Sequence, residues 1–258
     1  MTARPEPGGR IGELAADLGL ALSFLTIVPV RVAYRGPQQL ARACMWFPVI
    51  GALVGSIAAA SLVAAQHLFG RPVATVVALV VLVVVTGGLH QDGLADTADG
   101  LGVRGDRERR LEVMRDSAVG VFGVLALLAW GLLLVTALEP LSDRQAFVTL
   151  IAAAAAARWA AVLHAIATPA ARLDGLGAGF NPTRSSIVLA SVLAMVIVLV
   201  ACGLTAGGLV VVAALVAALA SVGFARKVVG GRTGDTLGAT VAVTELCVCL
   251  TLLAYWKP

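Results

Sequence analysis

The sequence has little charge: only 13% of its 258 residues are Asp, Glu, Lys or Arg, whereas 59% are hydrophobic. Soluble domains typically carry about 25% charged residues. The composition therefore argues against an ordinary soluble protein and predicts an integral membrane protein. Cysteine is scarce as well, and its four residues lie in or beside apolar runs. That placement favours packing in the bilayer over a disulfide framework or a cysteine metal site. Nucleic acid is not an expected partner.

Several uncharged runs approach the ~20 residues that a helix needs to cross a bilayer. They cover residues 45–68, 73–90, 117–138, 146–168, 186–204, 208–224 and 237–256. A further segment, Leu14 to Val30, has acids at its start and a proline near its end, so it either spans, re-enters or lies at the interface. The sequence predicts an all-α polytopic bundle of seven or eight transmembrane helices. Residues 1–258 would form one membrane domain, with residues 1–12 as a flexible arm.

The connections between these runs differ in charge. Residues 31–44 carry Arg31, Arg35 and Arg42, and residues 91–116 and 225–236 are also rich in Arg or Lys. By the positive-inside rule these connections face the cytoplasm, and residues 169–185 join them by alternation. We expect a multi-pass protein of the cell (inner) membrane. The connections 91–116, 169–185 and 225–236, here called the polar segments, should gather on its cytoplasmic face.

Three carboxylates follow the apolar run 73–89, namely Asp92, Asp96 and Asp99. Spacings of four and three place them on one face of a helix. Like charges repel there, and a divalent cation among them would offset the repulsion. Hard oxygen ligands next to a phosphate substrate favour Mg²⁺. The sequence therefore predicts a Mg²⁺ site at these three residues; the alternative is a solvated helix end with incidental acids.

An arginine-rich stretch at 104–116 comes next. Guanidinium groups bind phosphate oxygens bidentately, so this stretch is a candidate pyrophosphate site. Its predicted site residues lie where the next apolar run begins: Arg110, Arg115, Asp116 and Ser117. For Arg107 and Arg109, membrane orientation and ion pairs on the helix surface are the favoured interpretation.

Arg158 interrupts the apolar run 146–168, about 18 Å from its start at ~1.5 Å per residue. A charge at that depth normally faces a partner or a wet cavity. We therefore predict an acid or a substrate phosphate as its partner, with snorkelling to the interface as the alternative. Glu245, inside the last apolar run, raises the same question with less force. His90, just before the acids, is a candidate substrate-binding residue, although hydrogen-bonding and packing roles fit it equally.

The glycine-rich element 230–238 contains two further candidates, Thr233 and Asp235. Glycines let the backbone approach a ligand closely, and these side chains suit phosphate, a ribose hydroxyl or a metal. The element lacks the Lys and the spacing of a P-loop. The alternative is a turn that leads into a helix.

With these elements the chain resembles the cobalamin synthase family, the adenosylcobinamide-GDP ribazoletransferases, over essentially its whole length. The resemblance rests on the stretches Phe24–Val30, Trp46–Gly51, His90–Gly100, Arg110–Ser117, Gly120–Gly123 and Gly231–Asp235. The string His-x-Asp-Gly-Leu-Ala-Asp-Thr-Ala-Asp-Gly is the most specific of them. Gln91 occupies a position where an acid is common in the family.

The resemblance implies a membrane-embedded, Mg²⁺-dependent transferase. It would join adenosylcobinamide-GDP to α-ribazole or its 5′-phosphate, release GMP, and form adenosylcobalamin or its phosphate. Asp92, Asp96 and Asp99 would hold Mg²⁺ on the pyrophosphate, and one of them or Asp116 would be the general base. Spacing alone does not decide which. The residues expected to bind the rest of the substrate are His90, Arg110, Arg115, Ser117, Arg158, Thr233 and Asp235.

Two other functions compete with this one. A CDP-alcohol phosphotransferase shares the helices and the clustered acids, but its Asp-Gly-x-x-Ala-Arg string is absent, because Asp96 stands where that Arg would be. A cation or corrinoid transporter would use the acids as permeation ligands near the bilayer midplane. Here the acids lie at a helix end beside an arginine-rich loop, which favours catalysis at the surface. The acceptor's base, and whether the chain forms a homo-oligomer, stay open.

Overall fold

A computed structural model of the protein describes residues 9–34, 36–172 and 174–257. These residues form eleven α-helices and one short 3-10 turn, with no β-strand in the described ranges beyond an isolated bridge. The helices are α1 Gly9–Leu25, α2 Pro37–Ala43, α3 Phe47–Phe69, α4 Arg71–Val85, α5 Leu89–Gly102, α6 Arg107–Val113, α7 Val121–Leu138, α8 Asp143–Ala167, α9 Leu176–Gly179, α10 Arg184–Val229 and α11 Gly234–Trp256. The all-α prediction is confirmed. Arg35 and residues 1–8 of the predicted arm lie outside the described residues, while residues 9–12 begin α1.

Five helical stretches in the described ranges are long and apolar enough to cross a membrane: Pro37–Phe69, α7, α8, α10 and α11. A sixth crossing results only if α4 and α5, which meet at 90°, are counted as one. The predicted total of seven or eight is not confirmed. α1, with 17 residues, falls short of the length required, so the segment Leu14 to Val30 is not among the candidates.

The 46-residue helix α10 contains two of the predicted runs, 186–204 and 208–224. A straight helix of that length would measure about 69 Å, roughly twice the thickness of the hydrocarbon core. Its backbone leaves the helical region at Gly203, where φ is 78° and ψ is 177°. A Cβ on Gly207 would lie only 2.9 Å from the Leu199 side chain, although the two residues are eight apart in sequence. The chain therefore turns back on itself at Gly203.

The predicted run 73–90 is not a single helix. α4 ends at Val85, and α5 begins at Leu89 after a turn in which Gly87 and Gly88 have φ of 62° and 71°. Glycine adopts these left-handed conformations without the strain that a side chain would add. The acids at 92, 96 and 99 therefore lie on a separate helix at a right angle to α4, not on the continuation of a transmembrane run.

The core of the bundle is centred on α8, which packs against α3, α10 and α11. Two glycines, one turn apart on α3, let α3 approach α8 very closely. A Cβ on Gly51 would lie 2.3 Å from the carbonyl oxygen of Ala154, and one on Gly55 would lie 2.3 Å from that of Leu150. Small residues four apart are the usual way for helices to pack in lipid, where van der Waals contact drives association.

Gly55→Ala should therefore destabilise the protein, by about 1–3 kcal/mol, because the added methyl overlaps backbone that cannot move without separating α3 from α8. The measurement is the unfolding temperature of the detergent-solubilised protein. Gly223→Ala on α10 is the matched control, since nothing lies within 4 Å of its Cβ position. Alanine is the better helix former there and should leave stability equal or slightly higher. Equal unfolding temperatures for the two variants would contradict the close α3–α8 contact.

Candidate functional site

The polar segments come together at one end of the bundle, as predicted. From α6, the Arg107 guanidinium donates to the carbonyl oxygen of Val229, at 2.8 Å, and to that of Ala171. Residues 169–171 pair with Arg232 as a short parallel bridge with two backbone hydrogen bonds of 2.8 Å. The predicted ion pairs on the helix surface are present, because Arg107 pairs with Glu108 at 3.4 Å and Arg109 with Glu112 at 2.6 Å. The backbone contacts by which Arg107 joins the three segments were not predicted.

Arg232 anchors this end of the bundle and was not among the predicted site residues. Its buried guanidinium donates to the carbonyl oxygens of Gly177 and Ala165, both at 3.0 Å, and to that of Thr168. Asn181 supplies a fourth acceptor, 2.5 Å from Nη2. With every nitrogen used on protein acceptors, this arginine holds the loop after α8 in place and is not available to a ligand.

Three carboxylates lie close together at this end of the bundle: Asp92, Asp96 and Asp235, here called the acid group. Asp92 is exposed and Asp96 is half-buried on α5, while Asp235 lies at the start of α11. The two helices touch at Gly93, where a Cβ would lie 2.7 Å from the carbonyl oxygen of Asp235. α5 is not one of the five membrane-spanning stretches. The pKa of Asp96 is raised to about 7, chiefly because the carboxyl is partly buried. The negative charges of Asp92, Asp235 and Asp99 raise it further.

Asp99 does not belong to this group, although it shares a helix with Asp92 and Asp96. Its buried carboxylate accepts hydrogen bonds from the backbone N–H groups of Gly120, at 2.7 Å, and Gly123, at 2.8 Å. It thus satisfies the start of α7, where free N–H groups favour a negative charge. A Cβ on either glycine would come within 2.4 Å of the Asp99 carboxylate. The three predicted Mg²⁺ ligands therefore do not share one open site.

Asp99→Ala is expected to lower stability by about 1.5–3 kcal/mol, because two buried N–H groups lose a charged acceptor. Asp92→Asn, by contrast, should leave stability equal or higher, since no hydrogen bond or ion pair in the described structure engages that carboxylate and a like charge is removed. Chemical or thermal unfolding of both variants checks the difference. A stable Asp99→Ala protein would refute the capping role.

The acid group fits a metal ion that is shared with a phosphate ligand. Within the described ranges, no three His, Cys, Asp or Glu side chains form a ready-made metal site. Mg²⁺, however, is usually held by one or two carboxylates together with waters and substrate phosphates. Asp92 and Asp96 have no hydrogen-bond partner among the described residues. Asp235 accepts from Arg172, at 3.3 Å, and from Thr233, at 3.1 Å.

The predicted residues of the arginine-rich stretch lie at the same end of the bundle as the acid group. Arg115 donates to both oxygens of Asp174 at 2.8 and 2.9 Å, in an exposed pair. Arg110 is half-buried, and its Nε has no partner. Asp116 is exposed and accepts from the backbone of Ala118 at 3.0 Å, and the adjacent Ser117 is exposed too. Arg110 therefore has an unused donor, whereas Arg115 must exchange its present partner to bind an anion.

A pocket of about 790 Å³, counting the part that opens to solvent, extends from the acid group into the bundle. Its lining includes the exposed Asp92, the partly buried Asp235 and the fully buried Arg158. Arg158 pairs with Glu245, while its Nε and Nη2 have no partner. The acid, of the two predicted partners, is confirmed as Glu245, and snorkelling is wrong because the side chain is fully buried. Binding of a substrate phosphate by Arg158 stays a prediction. His90 also lines the pocket, with Nε2 unpartnered.

Thr233 is the N-cap residue of α11. It precedes α11, and its hydroxyl accepts from the N–H of Thr236 at 3.1 Å, which forms a capping box. The same hydroxyl donates to Asp235. Thr233 is buried, so it orients the Asp235 carboxylate and has no surface for a ligand. The glycine-rich element is thus a turn into a helix, as the alternative held, and also carries one member of the acid group.

Comparison with known proteins identifies the family of the chain. Residues 17–253 match the cobalamin-5-phosphate synthase family. A protein of Azorhizobium caulinodans named adenosylcobinamide-GDP ribazoletransferase is 36% identical, with 96% of this chain and 99% of the relative aligned. Proteins of the same name from Desulforamulus reducens and Escherichia coli are 38% and 36% identical, covering 92% and 90% of this chain and 96% and 97% of their own lengths. No solved structure matches.

Proposed function

Because the chain belongs to the cobalamin-5-phosphate synthase family, we propose that it is an adenosylcobinamide-GDP ribazoletransferase whose reaction takes place at the acid group. It transfers the cobinamide-phosphate moiety of adenosylcobinamide-GDP to α-ribazole or its 5′-phosphate. The products are GMP and adenosylcobalamin, or its 5′-phosphate. The observation that carries the assignment is the open acid group at the mouth of a pocket, within the stretch that matches the family.

The reaction is a phosphoryl transfer at the cobinamide-side phosphorus of the pyrophosphate. The ribose hydroxyl of the acceptor forms a new P–O bond there, and the bond to the bridging oxygen breaks. GMP leaves with that oxygen and the negative charge. The hydroxyl proton passes to a carboxylate of the acid group, which must lie within hydrogen-bond reach of the bound acceptor. Asp92 and Asp96 suit this role because no protein donor occupies them.

Asp92 and Asp96, with Asp235 beside them, would hold Mg²⁺ together with the pyrophosphate. The ion would neutralise charge on the phosphate oxygens. Arg172 pairs with Asp235 at 3.3 Å and has an unpartnered Nη1, so it would bind the same anion. Arg110, on the helix α6 that packs against α5, would add its unpartnered Nε. Asp99 takes part indirectly, because it joins α5 to the start of α7.

The protein is a membrane protein by its apolar helices. We place it in the cell (inner) membrane with the acid group toward the cytoplasm. The end of the bundle where the polar segments meet is the one that carries most of the Arg residues, and such ends face the cytoplasm in membrane proteins. A highly polar donor substrate would reach the acid group from that side.

GMP release by the purified protein tests the proposal. With adenosylcobinamide-GDP, α-ribazole and Mg²⁺ present, we expect GMP to form only when the acceptor is added and to stop when a chelator removes the metal. Neither a CDP-alcohol phosphotransferase nor a transporter would release GMP from this donor. Well-folded protein that forms no GMP with either acceptor would refute the transferase assignment.

A further inference from the structure

The wall of the pocket next to the acid group is aromatic. Phe47 of α3 lies between Phe24 of α1 and Phe180, with ring centroids 5.8 and 5.7 Å apart and the rings nearly parallel. All three rings line the pocket, along with aliphatic side chains of α5 and α11. We call this pocket the aromatic pocket. Its polar groups are confined to Asp92, Asp235, His90 and Arg158.

A second, more open pocket adjoins the aromatic pocket, and the two share Phe24, Leu89 and Asp92. This outer pocket is bounded by the turn at Gly87 and Gly88 and by Gln91, whose buried side-chain amide has no partner. Asp92 is therefore the carboxylate shared by the aromatic pocket and a more open pocket whose lining also contains Thr86 and Gln91. Phosphoryl transfer places the attacking and leaving oxygens on opposite sides of the phosphorus, so two spaces that meet at one carboxylate suit an acceptor and a donor.

We propose that the aromatic pocket binds the heteroaromatic base of the acceptor nucleoside, an inference that rests on the proposed function. The benzimidazole of α-ribazole is a flat, apolar bicycle, and one of its two nitrogens is already bonded to the sugar. Packed against a wall of stacked rings, it buries apolar surface without leaving donors unpaired. The ribose then lies toward Asp92 and Asp235, where its hydroxyl meets the acid group.

Guanine, the other base in the reaction, fits this space poorly. Its edge carries several donors and acceptors, each of which needs a partner when it is buried. With Asp92 and Asp235 engaged by the ribose and the metal, His90 and Arg158 are the polar side chains of the lining that remain. Arg158 is a donor only, so the N1–H and the exocyclic amine of guanine would depend on His90 Nε2 alone. The large donor, with its pyrophosphate and polar corrinoid, is left to the outer pocket, where Gln91 offers an unused amide.

The test measures initial rates of GMP release by the full chain in nanodiscs, varying α-ribazole and adenosylcobinamide-GDP in turn. Ala161→Leu fills the aromatic pocket from α8, and Phe180→Leu removes one ring of its wall. Each should raise KM for α-ribazole about tenfold, the loss expected for an aromatic contact, and leave KM for the donor unchanged. Phe147→Leu is the matched control, since Phe147 lies on α8 outside the pocket and is partly exposed. It should change neither KM.

A rise in KM for adenosylcobinamide-GDP alone would place guanine in the pocket and overturn the proposal, and so would two unchanged KM values. Direct binding does not depend on the variants folding. Radiolabelled α-ribazole should bind wild-type protein in equilibrium dialysis without donor, and 5,6-dimethylbenzimidazole but not guanosine should displace it. Displacement by guanosine instead would refute the proposal. If wild-type protein releases GMP but guanosine displaces α-ribazole, only this inference is refuted. If no GMP is released, the proposed function itself is refuted.

Discussion

Asp96→Asn is expected to lower kcat for GMP release by about two to four orders of magnitude, the range for loss of a group acting on the transferred proton or on its metal. The fold should survive, because Asp96 forms no hydrogen bond in the described structure and is close to the charges of Asp92 and Asp235. Removing one of three like charges should hold or raise the unfolding temperature. Steady-state kinetics and a melting curve on the same preparation give both results.

The matched control for this substitution is Asp106→Asn. Asp106 is an exposed acid at the same end of the bundle, and its side chain accepts from the N–H of Arg109 at 3.0 Å as the N-cap of α6. Asparagine caps helices as well as aspartate does, so the fold and the activity should both stay unchanged. Asp96→Asn protein with full activity at saturating Mg²⁺ would remove Asp96 from the reaction.

Glu245→Leu should cost about 3–5 kcal/mol of stability, because it leaves the Arg158 guanidinium charged and unpaired inside the bundle. Both side chains of this pair are almost completely buried. Replacing both partners, as Arg158→Met with Glu245→Leu, should restore much of that loss, since no uncompensated charge remains. Unfolding in detergent of the two single variants and the double variant forms a double-mutant cycle that isolates the pair.

The exposed pair of Arg115 and Asp174 provides the comparison for that cycle. Asp174→Asn should change stability by no more than about 1 kcal/mol, because water screens the charges. Glu245→Leu could instead lower the free energy of unfolding by no more than Asp174→Asn does. That result would mean that Arg158 finds another partner or reaches water in the variant. The interpretation of a buried, mutually dependent pair would then be wrong.

Much of this site was predictable from local patterns in the sequence. Asp92 and Asp96 are one helical turn apart, and periodicity alone puts them on one face. Arg158 stands out because a charge deep in an apolar run needs a partner, and Glu245 was the other such charge. The meeting of the polar segments followed from charge alternation along the chain. Each of these inferences uses only spacing, polarity or the position of a residue within its own run.

What the sequence did not reveal depends on contacts between distant residues. Asp99 matches its neighbours in type and spacing, and only its contact with Gly120 and Gly123 separates it from them. The glycine pair 120 and 123 was the available signal. The right-angle bend between α4 and α5 was not predicted, because Gly87 and Gly88 are uncharged and fit within an apolar run. Asp235 joins the acid group only because Gly93 lets α11 approach α5.

α11, the last of the described helices, packs against α5, α7, α8 and α10. It supplies Asp235, Glu245 and the carbonyl that accepts from the Trp130 indole. Synthesis proceeds from the N-terminus, so every other part of the bundle enters the membrane before these partners exist. Until then Arg158 has no counter-ion and α5 has no neighbour at Gly93. The nascent protein must therefore pass through a stage in which its charged interior is open, and a ribosome that stalls before residue 245 would leave a chain suited to quality-control proteolysis.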